Sequence, residues 1–90
     1  MTKLPSSVTP YKKTTIFTSD NIPKAFLKEH STAPGTWGIL HIIEGTLIFC
    51  DDETGQEYPL AKDKKMVIAP TKRHHLKLSG YAEIYVEFYH

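Results

Sequence analysis

The stretch Trp37 to Phe49, WGILHIIEGTLIF, constrains this chain more than any other part of it. Its apolar and β-branched residues run at the density of a strand, interrupted only by Glu44-Gly45, a pair suited to a tight connection or a bulge between strands. Glycine at that point supplies backbone freedom that other residues lack. The last stretch, YAEIYVEFYH, puts Ile84, Val86 and Phe88 on one face and Tyr85, Glu87 and Tyr89 on the other. That period of two is the mark of a strand with distinct faces, so the chain must fold by packing sheets.

The remaining segments fit the same plan. TTIFT reads as a first short strand, MVIAP as a buried strand ended by Pro70, and HLKL as an alternating strand that a Ser79-Gly80 turn passes into the last one. DDETGQE is a hairpin loop between LIFC and EYPLA, and Lys62 to Lys65 form a charged turn. Pro5 and Pro10 make residues 1–13 an extended N-terminal arm. Only the stretch after Asp20, with Pro23 followed by Ala25, Phe26 and Leu27, favours helix, and for no more than about two turns. Seven or eight short strands, one helical turn and no βα alternation predict an all-β antiparallel sandwich or barrel, as a single domain over residues 1–90. Ninety residues lie near the lower end of what one core supports alone, so a homodimer is expected.

Eleven Lys and Arg against ten Asp and Glu leave a net charge of +1, which argues against nucleic acid or an anionic membrane as partner. The local cluster from Lys72 to His75 reads as a solvated loop or, alternatively, an anion site. No apolar run approaches the roughly 20 residues of a membrane span, and the N-terminus shows no secretory pattern. A lone cysteine, Cys50, fits a reducing compartment and reads as a small, inert core residue, so a cytoplasmic location is expected. No phosphate loop or Ser-His-acid order is present to support a nucleotide or hydrolase reading.

Chemistry concentrates on histidine. His30 and His74 each sit beside a strand that can form a wall of a small barrel, so the fold can bring both imidazoles into one cavity. Such a pair suits a small-molecule ligand or a divalent transition metal, zinc, nickel or iron, which seeks three or four N, O or S ligands. His74 is preferred over His75 because it shares a face with Leu76 and Leu78. His41 points outward or into an interface if Leu40 and Ile42 face inward, and His90 is terminal. Glu87, an acid amid YVEFY, is either the third ligand or a solvent-facing residue.

Taken in order, LPSSVTPYKKTTIF, NIPKAFLKEHSTAPGTWGILHIIEGTLIF, VIAPTKRHHLKL and YVEFY resemble the small cupin-like family found at the N-terminus of tellurite-resistance B proteins and as stand-alone YeaR-like proteins. The resemblance implies a double-stranded β-helix, or jelly-roll barrel, whose pocket holds a metal in general cupins. It also implies that His30 stands for the histidine of the first cupin motif and His74 for that of the second. The chain departs from that motif at Thr32 and Trp37-Gly38, so the full set of three histidines and a glutamate is absent. No counterpart of the methyltransferase portion of the longer tellurite proteins occurs here, and methyl transfer is not expected. The resemblance implies a metal- or small-ligand-binding stress-response protein. Its alternative is a metal-dependent cupin enzyme using His30 and His74 with open coordination positions.

Overall fold

The computed structural model describes residues 3–90, so Met1 and Thr2 of the expected arm lie outside the described residues. Among the described residues six strands are present: β1 (Pro10–Lys13), β2 (Phe17–Thr18), β3 (Trp37–Asp51), β4 (Glu57–Ala61), β5 (Lys65–Ile68) and β6 (His74–Tyr89). A single turn of 3-10 helix, Lys24–Leu27, fills the place expected for a helical turn. Within the extended arm, β1 pairs antiparallel with β6.

Two long strands replace several short ones. β3 has 15 residues and β6 has 16, and they pair antiparallel from Trp37↔Tyr89 to Asp51↔His74. The expected turn at Ser79-Gly80 does not occur; the strand continues through it, and the excess residues are taken up as a register shift opposite Gly45–Leu47. A second shift lies between Ile42 and Glu44. Such bulges bend a strand and raise its twist, which lets one ribbon curl around its own core. The remaining strands extend the two halves of this ribbon: β4 and β5 pair with β3, and β1 and β2 pair with β6. The result is a cupin-like β fold.

The bulge between Ile42 and Glu44 also sets which side chains are inside. Leu40 and Ile42 point inward before it, and Leu47 and Phe49 after it. Inward positions therefore change from even to odd numbers along β3, which one extra residue in a period-two strand produces. β6 keeps its parity, with Leu76, Ala82, Ile84 and Val86 all in the core. The most enclosed side chains, Leu40, Leu47 and Ile84, are no more than 1% exposed and come from both halves of the ribbon. Among the described residues no helix is long and apolar enough to cross a membrane.

Candidate functional site

His30 and His74 meet. The segment after the helical turn runs alongside the start of β6, and the two residues exchange backbone hydrogen bonds, each N–H donating to the other's carbonyl at 2.9 Å. This bridge brings the ring centroids to 4.3 Å in an edge-on arrangement. Phe26 stacks with His30 and Phe49 with His74, so the two imidazoles link four aromatic rings in succession. His74 is 4% exposed, and His75 is turned to the opposite face.

Each ring is locked in the same way. His30 Nδ1 lies 2.8 Å from the Lys28 carbonyl, and His74 Nδ1 lies 2.9 Å from the Lys72 carbonyl. A carbonyl oxygen only accepts, so Nδ1 must carry the hydrogen in both rings. When the rings are neutral, the lone pair is then on Nε2. Burial pushes the His74 pKa below the ordinary histidine value, and the neighbouring His30 acts in the same direction; the Lys72 carbonyl and the carboxylates of Asp51 and Asp52 oppose the shift without reversing it. His74 is thus held as a neutral acceptor. Among the described residues neither Nε2 has a protein partner, and no buried polar atom is left sealed without one, so the His74 Nε2 reaches the adjoining cavity.

That cavity has a volume of about 320 Å³. Leu40, Ile68, Leu76, Val86 and Phe88 form its apolar walls, and Lys12 and Tyr11 of β1 stand on its lining. The hydroxyl of Thr32 does not offer a hydrogen there, because it donates to the Thr36 carbonyl at 2.8 Å. The sequence alternation of β6 could have supplied Val86 and Phe88, which share the parity of His74. The contribution of Phe26 and β1 depends on long-range pairing that no local signal carries.

Glu87 does not join the pair. It lies on the opposite face of β6, where its Oε1 is 2.6 Å from His41 Nε2, and His41 stacks on Tyr85 with centroids 4.4 Å apart. The parity of an unbroken β6 requires this separation from His74. His75 likewise faces away and pairs through Nδ1 with Asp52 at 2.8 Å. Among the described residues no group of three His, Cys, Asp or Glu side chains is placed to hold a metal ion. Two imidazole nitrogens fall short of the three protein ligands that even open catalytic zinc sites use. The residues present do not make a complete protein-held metal centre.

Cys50 is buried on the outer face of β3, across from His75, and burial together with the nearby Glu57 raises its thiol pKa. The thiolate is the reactive form, so native Cys50 should resist a disulfide reagent at mildly alkaline pH and react quickly once the chain is unfolded. Rapid stoichiometric labelling of the folded protein would contradict this placement.

Sequence and structure comparisons agree on the relationship. The pattern of the TehB-like domain family matches residues 12–86. A "Probable S-adenosyl-L-methionine-dependent methyltransferase TehB" of Haemophilus influenzae is 44% identical over 39 residues, which is 43% of this chain and 14% of that protein. The crystal structure of TehB from the same organism superposes with a TM-score of 0.82 and 30% identity, over 93% of this chain and 32% of the other. This chain therefore spans about a third of that relative at most. A protein from E. coli (strain K12) superposes with a TM-score of 0.89 and 17% identity, over 100% of this chain and 97% of the other. A cupin-2 domain containing protein from Shewanella frigidimarina shares the fold with a TM-score of 0.60 and 20% identity, over 68% and 57%.

Proposed function

The chain belongs to the TehB-like domain family, and from that premise we propose that it is a cupin-like binding module that takes a small, largely apolar molecule into the His30–His74 cavity. The observation that carries this reading is the pair of imidazoles fixed by backbone carbonyls against a cavity of about 320 Å³ with apolar walls. Small-ligand sites have this composition, a mostly hydrophobic wall with few, well-oriented polar groups, and this size is at the low end of their range. The rigid orientation of both rings lowers the cost of ordering them when a ligand arrives. A role in resistance to tellurite or a related oxyanion stress follows from the family resemblance. A homodimer is part of the same reading, supported by the small size of the core. Sedimentation that shows only monomer at micromolar concentration would remove that part.

Indole is a suitable probe, followed through backbone amide shifts on the full chain. The shifts should cluster on residues 30–36, 74–76 and 86–88. An absence of shifts at millimolar indole, or a cluster on the His41–Glu87 face, would overturn the proposal. Glu87→Gln should leave indole affinity within about twofold, because its side chain is on the other side of the sheet and shares no partner with the cavity. Zinc, nickel and iron(II) form the second arm of the test. With two protein ligands their binding should be weak and lost on removing either histidine; a tight stoichiometric site would make the protein a metal carrier or enzyme instead.

A further inference from the structure

We infer that the polar head of the ligand in the His30–His74 cavity is a neutral hydrogen-bond donor, such as the hydroxyl of a phenol or an alcohol, which donates its hydrogen to an Nε2 of the imidazole pair. This rests on the binding reading above and deepens it. The Nδ1 hydrogens of both rings are committed to the Lys28 and Lys72 carbonyls, and Thr32 donates to Thr36, so the side-chain hydrogens on this lining come from the hydroxyls of Ser31, Thr36 and Tyr11 and from Lys12. A ligand group that bonds an imidazole Nε2 must bring its own hydrogen.

An ammonium group could bring one, but among the described residues no carboxylate lines the cavity. A buried cation without a counter-ion is costly. A carboxylate would meet two nitrogen lone pairs unless the rings were protonated, and His74, almost wholly enclosed between Phe49 and His30, resists protonation. Lys12 is exposed, and its charge is well screened by water, so it does little to draw an anion inward. An apolar head would leave the His74 acceptor unpaired once water is displaced. A neutral hydroxyl meets all of these conditions.

Four molecules with one ring and different heads test this: phenol, toluene, benzoate and benzylamine, each titrated by amide shifts into wild type and His30→Phe. Phenol should bind best to wild type. Its advantage over toluene should fall roughly three- to tenfold in His30→Phe, the share carried by one hydrogen bond. Nitrogen-15 shifts of the imidazoles in wild-type protein give a measurement independent of any variant. They should show hydrogen on Nδ1 in both rings and, at neutral pH, a bare Nε2 in His74, and phenol alone should move the Nε2 resonances. Benzoate or benzylamine binding as tightly as phenol, an unchanged phenol-to-toluene ratio in His30→Phe, or hydrogen on Nε2 would overturn the inference while leaving the cavity as a binding site. Failure of all four molecules to bind would overturn both.

Discussion

Gly45→Ala should cost about 4 kcal/mol or more of stability, whereas Gly55→Ala should cost about 1 kcal/mol, although both glycines have the same backbone conformation. Their φ angles are +78° and +80°. The difference lies in what a methyl group would meet. A Cβ at Gly55 would have no atom within 4 Å, so only the left-handed backbone is penalised. A Cβ at Gly45 would sit 1.8 Å from the Tyr81 carbonyl oxygen and 2.9 Å from the Ala82 Cα. Those atoms belong to the backbone of β6 and cannot rotate away. Gly45 lies where β3 and β6 lose register, so relieving the clash means separating the ribbon that forms most of the core. For a chain of this size a loss of about 4 kcal/mol lowers the melting temperature by roughly 15–30 °C. Thermal melts followed by circular dichroism decide the matter. Equal losses for the two variants would show that the bulge relaxes freely and does not fix the curl of the ribbon.

The same bulge explains how far the sequence could be read. The alternation of Ile84, Val86 and Phe88 against Tyr85, Glu87 and Tyr89 was legible, and so was the placement of His74 with Leu76, because both depend only on nearest neighbours along a strand. Joining these two pieces was not legible. Ser79-Gly80 has the composition of a turn, and a turn would have broken the parity between His74 and Glu87. In the structure β6 runs through it, since β3 supplies a partner strand long enough to pair with both halves across a register shift. Pairing thus overrode local turn preference, and with parity restored Glu87 moved to the outer face with His41. Glu44-Gly45 was ambiguous between connection and bulge for the same reason. Only the partner strand decides.

The meeting of His30 with His74 was suggested by sequence, but its means was not. Forty-four positions separate them, and the link is a backbone exchange between a loop and a strand end, which leaves no pattern of side chains to read. The His-Lys spacing is more informative in hindsight: each imidazole bonds the carbonyl two residues before it, at Lys28 and Lys72. A carbonyl is available at every residue, so this repetition gains meaning only once both segments are known to be extended and side by side.

His74→Phe should lower stability by about 2–3 kcal/mol at neutral pH and should flatten the loss of stability that wild type suffers on acidification. The first effect has two sources. Phenylalanine cannot donate to the Lys72 carbonyl, which costs about 1 kcal/mol, and its larger ring overfills a site already packed between His30 and Phe49, which costs about 1–2 kcal/mol more. The second effect follows from the lowered pKa. In the unfolded chain the imidazole titrates near the ordinary value of about 6.5, while in the folded protein burial holds it lower. Between the two values the unfolded state binds the proton and the native state does not, so stability is fully present above about pH 6.5 and is lost as pH falls toward the native value. Phenylalanine has no proton to bind in either state, and this contribution disappears from the difference between the two proteins. Urea denaturation of both proteins at several values between about pH 5 and 8 measures it directly, because the comparison cancels the titration of groups remote from residue 74 that are common to both. A wild-type advantage that grows on acidification would mean that His74 is charged in the folded protein, and the paired-acceptor site would then have to be abandoned.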